Sequence, residues 1–282
     1  MKNSYLKKVL PVLIGAVLLT RCTCDFFGTT GALLISEADE MKLGKEFDDQ
    51  LNLNDSNKVN FPLYVANTPE KIALKNYVID LANEMVDSIP KSKKPSYPFK
   101  FTLIDKDIEN AFAVPGGYVY IYTGIIKKMQ DESELAGVIG HEIAHVTRHH
   151  YRNAMAKDAT FSLLLQALFG SDQSKLSQLV TGSFRSLASL KVTKSNEADA
   201  DEYGTIHTGY IHRNPMGIAK FFSRFPSGGL ASWVSTHPDP PDRVNSVTSE
   251  VNSTPDLKLI ATDSLTTNYK TRFTTNTAVL VR

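Results

Sequence analysis

The stretch GHEIAHVTRHH, Gly140 to His150, concentrates four histidines and one glutamate in eleven residues. On a helix, residues four apart lie about 40° apart around the axis and one turn along it. His141 and His145 can therefore turn their rings toward a single ion. Glu142 stands between them, giving H-E-x-x-H, a pattern in which two imidazoles hold a metal and the glutamate serves as general base for hydrolysis. His149 lies on nearly the same face, but eight residues at about 1.5 Å each carry it about 12 Å from His141. Metal–nitrogen bonds are about 2.1 Å long, so His149 joins that ion only if the helix breaks. One zincin subgroup does break there, with a glycine three residues after the second histidine and a third histidine beyond it. Arg148 and Tyr151 occupy those positions here, which excludes that subgroup. His149 and His150 are read as surface groups or as partners of the ligands.

A hydrolytic metal needs a third protein donor and an open position for water, which the metal acidifies and Glu142 can deprotonate. Cysteine does not supply the donor, because the two cysteines, Cys22 and Cys24, both stand near the start of the chain. The best candidate segment is SNEADADEYG, which crowds Glu197, Asp199, Asp201 and Glu202 together. On a helix, Glu197 and Asp201 share a face while Asp199 points roughly opposite. The longer carboxylate can reach an ion, and the shorter one can accept a hydrogen bond from a ligand histidine and fix its tautomer. The same residues also suit a solvated acidic helix start beside the positive end of the helix dipole. Only the upstream motif favours the first reading.

The elements that must position these groups can be read from periodicity. Ser36 is a candidate N-cap with Asp39 in the first turn, and Met41, Leu43, Phe47 and Leu51 give that helix an apolar face. A second helix is predicted over Glu70 to Ile89, where Ile72, Leu74, Tyr77, Val78, Leu81, Met85 and Val86 recur at three and four. The basic, breaker-rich PKSKKPSYP ends it. Strands are predicted at Phe99 to Ile104 and Gly117 to Tyr122, and one helix over Asp131 to Tyr151 carries the metal motif. FSLLLQALF reads as a buried helix or a membrane-touching hairpin. Leu176 to Leu187 and Glu197 to Gly209 read as helices, with shorter ones around Pro215 to Phe225 and Pro241 to Val251. The Thr-rich tail from Ser253 reads as extended chain. The expected fold class is α+β, mostly helical, with a small sheet in the first half.

With 282 residues the chain can build one large domain or two small ones around a sizeable core. The 31 basic and 30 acidic residues nearly cancel, so no nucleic-acid partner is expected. Lys2, Lys7 and Lys8 precede an apolar run from Val9 to Thr20, shorter than the roughly 20 residues of a membrane span, and the pair reads as a signal peptide. LLTRC resembles a lipoprotein cleavage site with Cys22 as the lipidated residue. Leu19 fits that pattern, whereas Arg21 stands where a small residue is usual; a plain secretory signal cut nearby is the other reading. Both place the mature protein outside the cytoplasm, in the periplasm or cell envelope, and the first tethers it to a membrane.

HEIAH followed by E-x-x-A-D-x-x-G, here Glu197, Ala200, Asp201 and Gly204, resembles family forty-eight of the metallopeptidases. ISEADEMKLGKE, NAFAVPGGYVYIYTGII, GYIHRNPMG and STHPDPPDRV are similar to further segments of that family, so the resemblance runs from about Ile35 to Val251. It implies a zincin-type (gluzincin) domain with a small sheet beside the H-E-x-x-H helix, and one zinc ion per chain. It also implies His141, His145 and Glu197 as the ligands, Glu142 as the base and Asp201 as a partner of a ligand. His237 would approach the metal, either to polarise the scissile carbonyl or to cap the ion in a latent form, and Arg243 would lie near the same cleft. VPGGYVYIY would supply an edge strand, with Pro115, Gly116, Gly117, Tyr118 and Val119 receiving an extended polypeptide by strand addition. A plain core hairpin with a Gly-Gly turn is the alternative.

The chain looks like the exported branch that lacks membrane spans. The activity implied is that of a zinc metalloendopeptidase acting on unfolded or misassembled envelope proteins. A chaperone-like peptide-binding lipoprotein with a latent or structural zinc site is the competing reading. The corresponding organisation is a leader over 1–22, a linker and helix over 23–60, a peptidase domain over 61–252 and a tail over 253–282.

Overall fold

Asp39 N–H donates to Ser36 Oγ at 3.2 Å while Ser36 N–H donates to Asp39 Oδ2 at 2.8 Å. This reciprocal cap starts helix α1, Glu37–Leu53. The structure, a computed structural model, describes residues 35–53, 60–155, 192–225, 229–237, 243–262 and 266–281. The apolar face of α1 buries Leu43, Phe47 and Leu51, whereas Met41 stays exposed. Helix α2, Pro69–Asp87, starts with Thr68 accepting from Lys71 N–H and with Pro69 in its first turn. It buries Leu74, Tyr77, Val78, Leu81 and Met85, and each such side chain contributes about 1.5–3 kcal/mol.

Three strands follow: β1 Lys100–Ile104, β2 Ala111–Val114 and β3 Tyr118–Tyr122. Their order is β1-β3-β2. β3 runs parallel to β1, with Leu103 beside Ile121, and antiparallel to β2, with Ala113 opposite Val119. The β2–β3 hairpin turns through Gly116 and Gly117 at φ +85° and +89°, backbone that residues with a Cβ adopt only under strain. This placement corrects the expected edge strand. β3 is the central strand, so the backbone groups of Tyr118 and Val119 that would receive a peptide already bond to neighbours on both sides. Among the described residues, β1 and β2 are the edge strands, and the outer edge of β1 is met by an isolated bridge between Leu63 and Ile104.

A short helix α3, Thr123–Lys127, leads to α4, Glu132–Thr147, whose cap Asp131 accepts from Ser133 N–H at 2.8 Å and Glu134 N–H at 3.2 Å. Every residue of α4 from Glu132 to Val146 is buried, because β2, α2 and two later helices enclose it. Those two are α6, Lys194–Tyr210, and α7, Gly217–Ser223. Gly140 on α4 meets Gly204 on α6 so closely that a Cβ on Gly204 would stand 2.7 Å from His141 N. Two glycines thus let the backbones touch, and this contact sets the metal-motif helix against the acidic one.

The single helix expected over Asp131 to Tyr151 is two. Arg148 caps α4, His149 takes φ +53°, and α5, His150–Met155, sets off in a new direction. Helices α8, Ala231–Thr236, and α9, Arg243–Ser253, follow α7. The tail is helical rather than extended, forming α10, Pro255–Thr262, and α11, Thr266–Thr277. Buried Leu257 and Phe273 anchor these helices, and tertiary packing overrides the weak helix propensity of threonine. The expected leader, Cys22, Cys24, FSLLLQALF and Leu176 to Leu187 lie outside the described residues. Among those described, no helix is long and apolar enough to cross a membrane.

Candidate metal centre

One turn of α4 separates His141 from His145 and brings their Nε2 atoms to 3.0 Å. α6 delivers Glu197 against both, with Oε2 at 3.4 Å from His141 Nε2 and Oε1 at 3.5 Å from His145 Nε2. His237, the residue that ends α8, completes a group whose ligand atoms all lie within 4.8 Å of one another. The four residues are buried to 1% exposure or less. A tetrahedral ion with bonds of about 2.1 Å holds its ligands about 3.4 Å apart, close to the spacings found. Glu197 Oε1, His237 Nε2 and both carboxylate oxygens of Glu142 are buried without a hydrogen-bond partner. Such atoms cost about 1–3 kcal/mol each, and a divalent cation among them would relieve that cost. The residues fit a metal.

The surrounding charges favour a cation as well. Asp201 Oδ1 lies 2.8 Å from His141 Nδ1, and its other oxygen accepts from Arg243 Nε at 2.5 Å. Arg243 also donates from Nη2 to Glu197 Oε2 at 3.1 Å, with its guanidinium 4.3 Å from the centre of the Phe222 ring. Burial pushes both carboxyls up, but Arg243 and His141 outweigh it at Asp201, and His237, His141 and Arg243 outweigh it at Glu197, so both are held below the usual range. Burial opposes a charge on His141 too, yet Asp201 and Glu197 raise it to about 9. His145 moves the other way, depressed by burial and then by its positive neighbours. Arg243, at 4% exposure, is part of this buried network and makes no surface ion pair.

His237 is held from behind. The chain's one tryptophan, Trp233, stacks on it with ring centres 4.1 Å apart and planes inclined by 17°. Thr236 Oγ1 lies 2.9 Å from His237 Nδ1, which turns Nε2 toward the other donors and to 3.2 Å from Glu142 Oε1. His149 takes no part. The break in the helix carries it to Glu40 on α1, 2.9 Å from its Nδ1. His150 turns inward, with its Nδ1 3.0 Å from Nδ1 of His145.

The expected peptide-receiving turn packs against backbone. A Cβ on Gly116 would meet Glu40 O at 2.6 Å, and one on Gly117 would meet Pro98 O at 2.5 Å. Pro115, Gly116 and Gly117 are thus walled in by α1 and the segment before β1. Trp233 and Thr236 are absent from the sequence reading. Trp233 stands four residues before His237, the same one-turn spacing that joined His141 to His145, and that spacing was the available signal.

The sequence model of peptidase family M48 matches residues 73–251, a span that holds all four donors, Glu142, Asp201 and Arg243. The chain belongs to peptidase family M48. Over 246 residues it is 27% identical to the beta-barrel assembly-enhancing protease of Escherichia coli K12, covering 82% of this chain and 47% of that one. It is 28% identical over 197 residues to the protein of the same name in Yersinia pestis, covering 64% and 39%. The mitochondrial metalloendopeptidase OMA1 of Arabidopsis thaliana is 27% identical over 139 residues, or 48% of this chain and 28% of the plant protein. The chain thus spans less than half the length of these three relatives. Its M48 membership implies a metal cofactor, and the buried His141, His145, Glu197 and His237 form a group that can hold one.

Proposed function

We propose that this M48 chain is a zinc-dependent endopeptidase that hydrolyses unfolded or misassembled proteins of the cell envelope. The observation that carries the reading is the buried three-histidine, one-glutamate cluster with Glu142, uncommitted to any hydrogen bond, at its side. Zinc, when bound, would supply a Lewis acid toward a peptide carbonyl and would lower the pKa of attacking water. His141, His145 and Glu197 would hold it, and Asp201 would keep the proton of His141 on Nδ1. Glu142 takes the proton from the attacking water and returns it to the leaving amine. Its fixed place in the buried stretch of α4 from Glu132 to Val146 spares it reorganisation during the reaction.

His237 closes this site. Four protein donors around one ion describe a closed centre, whereas hydrolysis needs an open position. In this reading, turnover requires the Trp233–His237 pair to swing away, and an extended substrate lies along the unpaired edge of β2 beside α4. The names of the bacterial relatives, the leader-like start and Cys22 support export and a tether at a membrane. The closed position of His237 also favours one competitor, a peptide-binding lipoprotein whose zinc is latent. Casein cleavage by zinc-loaded wild type and His237→Ala separates the two. The endopeptidase reading expects slow cleavage by the wild type and faster cleavage by the variant. Loss of activity in the variant would put His237 in the reaction itself, and no cleavage by either would leave the binding role.

A further inference from the structure

Asp201 accounts for the outer nitrogen of His141, but among the described residues the outer nitrogen of His145 meets no carboxylate. Its Nδ1 faces Nδ1 of His150 at 3.0 Å, and the far nitrogen of His150, Nε2, lies 3.0 Å from Asp199 Oδ2. Arg148 grips that carboxylate in turn, with Nε at 2.8 Å and Nη2 at 2.7 Å. Two imidazole nitrogens at this separation share one proton, since two N–H groups or two lone pairs would repel. The Nε2 of His145 sits among the metal donors and must present a lone pair, so the neutral ring carries its proton on Nδ1. His150 must then accept at Nδ1 and hold its own proton on Nε2, where Asp199 accepts it. Every proton in the line has one place.

We infer that His150, oriented by Asp199 and Arg148, is the positioning residue for the second metal ligand, fixing the tautomer and ring direction of His145. The inference rests on the zinc-site reading above. It goes beyond that reading in giving a role to three residues outside the ligand set, His150, Asp199 and Arg148. Only the break in the helix makes the contact available. Five residues along an unbroken helix turn about 500°, which leaves the side chains about 140° apart. The positive φ of His149 turns the chain so that α5 begins with the His150 ring 5.0 Å from that of His145, inclined by 73°. His150 is 3% exposed, so no water replaces it.

The test is zinc affinity of the metal-free full chain, measured by competition with a chromophoric chelator, alongside thermal melts of the metal-free forms. His150→Ala should weaken zinc binding by about 10–100-fold, the usual effect of losing a partner of a ligand histidine. His150→Asn places an amide oxygen where Nδ1 stood and should stay within a few-fold of wild type. Asp199→Ala should weaken binding in the wild-type chain and add nothing to His150→Ala, because the two act in one line. Should His150→Ala fail to fold, the Asn and Asp199→Ala variants carry the comparison. Wild-type affinity in His150→Ala, or an Asn variant as weak as the Ala variant, would overturn the inference. A wild-type chain that binds no zinc would instead remove the metal-site reading, and the inference with it.

Discussion

Gly204→Ala adds one methyl group at the contact between α4 and α6, the two helices that carry the candidate ligands His141, His145 and Glu197. Its Cβ would stand 2.7 Å from His141 N and 2.9 Å from the Gly140 carbonyl carbon, both backbone atoms that cannot swing aside. Ordinary contact begins at 3.4 Å, so α4 and α6 would have to part by about 0.7 Å, the difference between 3.4 and 2.7. His141 Nε2 and Glu197 Oε2 face each other at 3.4 Å across that same pair of helices. Metal sites tolerate deviations of only about 0.2 Å. The fold should lose about 1–3 kcal/mol to overpacking, lowering the melting temperature by about 2–4 °C for each kcal/mol in a chain of this size. Zinc binding should weaken separately, on the order of 10–100-fold. Calorimetry and chelator competition on the purified variant read the two effects. A variant that melts with the wild type and holds zinc as tightly would refute the reasoning about this contact.

The remaining expectations concern the tail and acid pH. Phe273→Ala should cost about 3–5 kcal/mol in urea unfolding, because Phe273 is buried in the main core from α11; a loss below about 1 kcal/mol would show α11 to be an appendage. His207, buried with its Nδ1 2.8 Å from Ser88 Oγ, is held down at about 4, first by burial and then by Lys93. Its folded value lies below the unfolded value of about 6.5, so the unfolded chain binds more protons between the two. The contribution is therefore complete above about pH 6.5 and is lost as the pH falls toward 4. In His207→Gln the urea midpoint should fall less steeply across that window, and an equally steep fall would count against the assignment.

The grouping of these side chains was legible because it depends on local periodicity: His141 and His145 stand one turn apart on α4, and Glu197 and Asp201 one turn apart on α6. β2 entered only through the alternative of a core hairpin with a Gly-Gly turn, because all four of its residues are buried, which leaves no alternation to mark a strand. Setting that alternative aside misplaced the sheet edge, since β3 becomes central only once β2 is paired. His150 was read as a surface group or a ligand partner, and it is the helix break that turns its ring inward to His145. No proline or glycine marks the break, and His149 adopts φ +53° without either. Helix propensity misjudged the tail, where Leu257 and Phe273 find partners distant in sequence. Trp233 and His237 stand one turn apart on α8 and its cap, but that α8 brings His237 to the donors of α4 is something no spacing within one segment reveals.

In the proposed function, Glu142 acts as the base for hydrolysis beside a zinc ion held by His141, His145 and Glu197. Zinc content and casein cleavage should be measured together on wild type and Glu142→Gln. Equal zinc in both, with cleavage by the wild type alone, is the result expected. Cleavage by the Gln variant at the wild-type rate would contradict the claim.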